Sequence, residues 1–268
     1  MPETMQPVTG SGWTLGLANM LKKENRLWWG DKRWLIQMFV WTVVVTGLLA
    51  ATLYIVTHVA PPDETEIQDM GSLAVLGSEL FFSIAGFAMV FGVIILTHDA
   101  IIKERDSGTI EWLLSKPLSR KAFVIAKLIA STIGMTVIMV LLQGALSYTV
   151  ISLFHGSTIA LLPFIGGLAL IWLACMFYMA LLLLLGTVTT SRGLVLGSAI
   201  GFFMLGGLVP MFFSQSAYFT PWKLVDIATA VSLGTPLTAE IAMPILATVV
   251  WIVIFIAGSL CRVEKLEI

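Results

Sequence analysis

The sequence predicts an all-α integral membrane fold with six transmembrane helices, and three observations predict it. Only 12% of the 268 residues are charged and 58% are hydrophobic, whereas soluble domains carry about 25% charged residues. Six uncharged apolar runs are each long enough to cross a bilayer. The positive charges, finally, collect on one side of the topology that those runs define. With a mean hydropathy of +0.96, a water-soluble fold of this size has no interior large enough for its apolar surface, so lipid is part of its solvent.

The spans run near Leu35–Val56, Leu80–Thr97, Leu128–Ile151, Ile159–Leu185, Leu194–Phe213 and Ile241–Leu260. The bilayer core holds no water, so each segment satisfies its own backbone, and length and pattern make these helices rather than barrel strands. The chain divides into a cytoplasmic segment 1–34, a transmembrane domain 35–260 and a cytoplasmic tail 261–268.

Orientation follows the basic residues. With the N-terminus cytoplasmic, Lys22, Lys23, Arg26, Lys32 and Arg33 precede the first span. Lys103, Arg105, Lys116, Arg120, Lys121 and Lys127 fall in or beside the loop between spans two and three. Arg192, Arg262 and Lys265 complete the inner set, and of the 15 Lys and Arg residues only Lys223 lies outside. Both termini are expected in the cytoplasm, with the chain in the plasma membrane. No apolar h-region with a cleavage site precedes Trp34, so the first span is expected to serve as its own insertion signal.

Two segments outside the spans read as helices. Trp13, Leu17, Met20, Leu21, Leu27 and Trp28 gather on one helical face, with Asn19, Lys22 and Arg26 opposite, the pattern of an interfacial amphipathic helix. Glu24 falls on the apolar face, where a charge is costly unless paired; a snorkelling group at an imperfect helix end is the plainer reading. On the outer side, residues 220–234 predict a short helix with Thr220 as N-cap, Pro221 first and Gly234 as stop. Leu224, Ile227, Ala228 and Val231 share its apolar face. About 20 Å long, it is too short to span, and either lies at the interface or dips into it.

The loop 98–121 is the most informative stretch. Alternating charges lead to N-cap candidates Asp106 and Ser107, then a short helix that Pro117 ends, with Ile110, Leu113 and Leu114 on one face. A lone loop helix with apolar groups needs something to pack against, either the membrane or a partner protein. The run Glu104-x-x-x-Gly108-Thr109-x-x-x-Leu113-Leu114-x-x-Pro117-x-x-Arg120, with Lys127 seven residues on, resembles the hallmark of ABC-2 type permeases. Within that family, with Asp99-Ala100-Ile101 included, it is similar to the permease of the nitrous-oxide reductase maturation system. The Lys23-Glu24 pair resembles the family's amphipathic N-terminal helix.

The resemblance implies a coupling helix seated on a separate ABC ATPase subunit. Glu104, Gly108, Thr109, Leu113, Leu114, Pro117 and Arg120 would then shape the junction. It also implies a second permease copy, or a related permease, as partner. This chain has no G-x-x-x-x-G-K-[ST] run, so ATP and magnesium are expected in the ATPase and no cofactor in this chain.

Other chemistries find little support. A net charge of -1 argues against nucleic acid. Cys175 and Cys261 match no metal-ligand spacing and read as buried hydrophobes. The 13 methionines are scattered, as packing residues are. The predicted span interiors contain no Asp, Glu, Lys, Arg or His, with Glu79 and His98 at the ends of span two and His155 in an outer loop, so no catalytic residue is assigned. Gln143, deep in span three, reads as a helix–helix hydrogen-bonding residue, with pathway lining as the alternative. Gly193, Gly197 and Gly201 form a small-residue stripe for close packing within the chain or at a dimer seam. The leading function is an exporting permease. A membrane scaffold that works with an ATPase without carrying a solute is the alternative, and an intramembrane enzyme a distant third.

Overall fold

The structure, a computed structural model, describes residues 12–59, 70–106 and 118–264. Six helices in it are long and apolar enough to cross a membrane, at Arg33–His58, Leu73–Glu104, Arg120–His155, Leu161–Val188, Arg192–Phe212 and Ala239–Val263. They reproduce the six predicted spans, with the second and third extended well beyond their apolar runs. The helix that begins span two starts at Met70. Glu79 therefore stands inside a helix rather than at its end, on an exposed side.

The fourth span is the axis of the bundle. It packs against the second and sixth spans, and 67% of its most apolar window is buried, against 11% for the fifth span and 17% for the sixth. Phe164, Phe177, Tyr178 and Cys175 lie on it with almost no exposure. The predicted hydrophobe Cys175 is thus in the core, whereas Cys261 is exposed near the end of span six.

Spans one and three each contain one wide turn, a π-helical stretch at Val43–Gly47 and at Thr136–Leu141. Such turns leave carbonyl groups poorly paired. Gln143 answers this: its Nε2 donates to the Ile138 carbonyl at 3.2 Å and to Thr42 Oγ1 at 3.2 Å, and its Oε1 accepts from Thr46 at 3.3 Å. Ser147 adds a 3.3 Å bond to Thr46. The helix–helix role read from sequence is the one Gln143 fills.

After span five the chain turns back into the bundle. Two 3₁₀ turns, Ser214–Phe219 and Pro221–Lys223, lead into a helix at Leu224–Ser232. The helix packs into the bundle against spans four and two. Thr220 is extended and precedes Pro221 as predicted, but its hydroxyl donates to the Ser216 carbonyl at 3.0 Å and does not cap the helix. Leu224, Ile227 and Ala228 are buried, and Gly234, at φ +89°, terminates the segment.

Glycines make this seat. A Cβ on Gly167 would stand 2.6 Å from the Ala228 carbonyl oxygen and 2.6 Å from the Phe82 ring, and one on Gly86 would meet Val225 at 2.4 Å. By contrast, among the described residues nothing lies within 4 Å of a Cβ at Gly197 or Gly201, and Gly193 meets only Ser191. The packing within the chain expected for that stripe is absent among the described residues, and the face is open.

Gly167→Ala is expected to lift the re-entrant helix off span four and cost about 1–3 kcal/mol as overpacking. Thermal unfolding in detergent reads the loss, and Gly207→Ala, which has open space around it, should leave the midpoint unchanged or slightly raised.

Candidate functional site, a buried charge cluster at the foot of a loop

The N-terminal helix Leu17–Trp29 is amphipathic as the sequence predicts, although Trp13 precedes it in a 3₁₀ turn and both Trp13 and Leu27 are exposed. Its apolar face covers span three, where Trp28 fills the space over Gly134. Glu24 points from that face into the protein and is only 6% exposed. Its partner is Lys127, 3% exposed, whose Nζ donates to Glu24 Oε1 at 3.1 Å and to Glu104 Oε1 at 3.0 Å. Lys23 Nζ reaches the same Glu104 oxygen at 2.7 Å.

Among the described residues, four side chains from three separate segments thus form one cluster of two acids and two lysines. Around it pack Met20, Ile101, Phe123, Val124, Leu183 and Val263, and the Lys127 ammonium lies 5.2 Å from the Phe123 ring centroid. The apolar collar excludes water and strengthens each attraction, but it also raises the cost of any charge left alone. Burial pushes the Glu24 carboxyl above its ordinary pKa. Lys127 opposes the rise by attraction, and the neighbouring Glu104 adds to it.

Glu104 is the first residue of the loop motif, and it sits in the short helix Ile102–Asp106. The far end of the loop is fixed too. Ser119 caps span three by accepting from the Ala122 N–H at 3.0 Å, while its own N–H donates to the Leu15 carbonyl at 3.0 Å. Arg120 Nη1 donates to the Glu264 carbonyl at 2.9 Å, and Lys121 pairs with the Glu264 carboxylate at 2.9 Å. Leu15 and Glu264, near the two limits of the described chain, are therefore both beside this end of the loop. A cleft of about 440 Å³ opens there between Gly12, Trp13, Ser119, Arg120, Lys121 and Glu264.

Of the seven residues predicted to shape a junction, Glu104 and Arg120 stand at the two feet of the loop. Gly108, Thr109, Leu113, Leu114 and Pro117 lie outside the described residues. Gly193, Gly197 and Gly201 are on span five, remote in sequence from the loop and in contact with none of the cluster residues. Sequence reasoning flags Glu24 without finding its partner. The signal is nevertheless there: an acid on an apolar helix face, and a lone lysine followed by a long apolar run. Among the described residues no three His, Cys, Asp or Glu side chains are grouped to hold a metal ion.

Over residues 18–267 the chain matches the profile of the family described as "ABC-2 family transporter protein". No curated protein matches the chain.

Lys127→Met leaves two buried carboxylates short of a counter-charge and is expected to cost about 3–5 kcal/mol. Glu24→Gln removes a carboxylate whose charge burial disfavours and leaves Lys127 paired with Glu104, so it should cost clearly less. Because the folded pKa of Glu24 is raised, its contribution to stability is complete below the ordinary carboxylate range and is lost as pH rises through the folded value. Unfolding midpoints of both variants in detergent, across roughly pH 4–8 where perturbed carboxyl groups titrate, test the ranking and the sign.

Proposed function

The chain belongs to the ABC-2 transporter family, and from that premise we propose that it is the permease subunit of an exporter powered by a separate ATPase chain. The two termini and the loop 98–121 face the cytoplasm of the plasma membrane in this reading. The loop carries the coupling helix, and ATP and magnesium belong to the ATPase. Two permease copies stand side by side, with the open stripe Gly193, Gly197 and Gly201 at their seam.

The observation that carries the proposal is the anchoring of the loop's foot. A coupling element must pass a push from a partner into the spans, so its base must not give way. Glu104 is buried and bound to Lys23 and Lys127, which ties the start of the loop to the N-terminal helix and to span three together. Arg120 and Ser119 tie its end to residues near both termini. A loop that merely crossed between two helices would need neither clamp. Gly108 then permits close approach at the coupling-helix start, Pro117 ends the helix, and Leu113 and Leu114 supply the apolar face for the partner.

A second reading has one observation in its favour. The Asp99-Ala100-Ile101 stretch, similar to that of the nitrous-oxide reductase maturation permease, fits a membrane assembly factor that uses the same ATPase to act on another protein complex.

Gly108→Trp is expected to uncouple transport from ATP hydrolysis while membrane insertion stays normal. Pull-down of the tagged chain in mild detergent, with ATP turnover assayed on the eluate, should recover a P-loop ATPase from the parent and lose it when Gly108 and Leu113 are both changed. Undiminished transport by Gly108→Trp overturns the coupling role. ATP turnover without flux in vesicles favours the assembly reading.

A further inference from the structure

By sequence Lys223 is an ordinary outer-loop lysine, but the fold puts it elsewhere. Three contacts measure its depth. Trp251, at the midpoint of the sixth span, donates its Nε1–H to the Phe219 carbonyl at 3.0 Å. Trp222 stacks at 5.0 Å on Phe202, the midpoint of the fifth span. Val225 lies over Gly86, close to the middle of the 28-residue helix of the second span. Residues 219–225 are therefore level with the middles of spans two, five and six, on a segment that enters the bundle from the end opposite the described termini.

That segment is badly suited to hydrocarbon. Its backbone is broken into two 3₁₀ turns joined by extended Thr220, and such backbone is tolerated at membrane depth only inside protein or beside water. Lys223 is half-exposed, and among the described residues no carboxylate pairs with it. Its ammonium instead sits 3.9 Å from the centre of the Tyr218 ring, an arrangement that holds the charge in place while leaving N–H donors unused. Asp226 and Phe219 close by are exposed. Ionisable side chains at this depth face an aqueous cavity or a substrate pathway, since bare lipid would neutralise or expel them.

We propose that the re-entrant segment 214–226 walls a water-filled pocket at mid-membrane in which Lys223, held on Tyr218, binds the anionic group of an amphipathic cargo. The identity of that molecule as cargo rests on the permease reading; the pocket and its charge preference do not. Apolar Phe219 is exposed four residues before the cation, so a molecule with an acidic head and an apolar body finds both parts of its surface met at once.

The test uses the full chain in membranes, with Cys175→Ala and Cys261→Ser as background and Phe219→Cys as reporter. Vesicles are treated, from the side opposite the termini, with membrane-impermeant methanethiosulfonates bearing either a sulfonate or a trimethylammonium group. Phe219→Cys should label much faster than Val250→Cys, which is exposed at the same depth on span six. The sulfonate-to-ammonium rate ratio should fall roughly fivefold on adding Lys223→Gln, as loss of one nearby charge in a hydrated site predicts, and Lys223→Arg should restore it. Labelling no faster than at Val250→Cys overturns the aqueous pocket, and a ratio indifferent to Lys223→Gln overturns the anion site. Neither result depends on an ATPase, so failure here is distinguishable from failure of the coupling role.

Discussion

Everything on the termini side of this protein is arranged around one ammonium group. Lys127 enters the bundle seven residues after the loop motif ends and is 3% exposed, and an ammonium buried there needs carboxylates in contact. Glu24 and Glu104 meet that demand from different segments, and Lys23 at the cluster's edge balances the second carboxylate. Removing an ion from water costs several kcal/mol, and good geometry roughly repays it. The cluster's net contribution to stability is therefore small, but the penalty for any arrangement that separates its members is large. That asymmetry fixes where the N-terminal helix docks and where the loop begins.

The same logic applies at the other end with backbone in place of charge. A chain that re-enters a membrane must cover its irregular turns, and here helix-on-helix contact at glycine does so. Gly167 and Gly86 remove the side chains that would hold the re-entrant helix away, and the Trp251 indole takes up the Phe219 carbonyl. Span four gains most, since it is lined on several sides and becomes the buried axis. Spans five and six are left with open outer faces, and the glycine stripe of span five is one of them.

How much of this is legible in the sequence depends on which constraint wrote it. Lipid demands long uncharged runs, so the six spans can be read directly, and a glutamine inside one can be read as needing partners, which Gln143 has. The fate of Glu24 can be stated only as a choice, because periodicity gives the face a residue occupies and not what it meets. Lys127 reads as the edge of a loop since the apolar run starts after it, whereas the helix actually begins at Arg120. The depth of Lys223 is invisible for a related reason. A helix too short to span has no hydropathy signature of being inside, and small residues on distant spans, rather than its own sequence, make room for it. The coupling role proposed for the loop comes from resemblance and not from the residues themselves.

The two ends are joined by a route whose weakest point can be named. Under the proposed coupling, a displacement of the loop's foot enters span three at Lys127, on the helix Arg120–Met135. It then meets the wide turn Thr136–Leu141. There Trp172 of span four donates to Thr136 Oγ1 at 2.9 Å, and Gln143 binds span one beside that span's own wide turn. A π turn already departs from regular helical pairing, so it yields at lower cost than the helix on either side. Hydroxyl and amide partners are better suited to such a joint than apolar ones, because they can exchange one hydrogen bond for another without leaving a buried donor unmade. Rigid charge pairing at the foot and exchangeable polar pairing at mid-span suit the proposed coupling: the first keeps a displacement from being lost on entry, and the second lets it be absorbed as a change of shape.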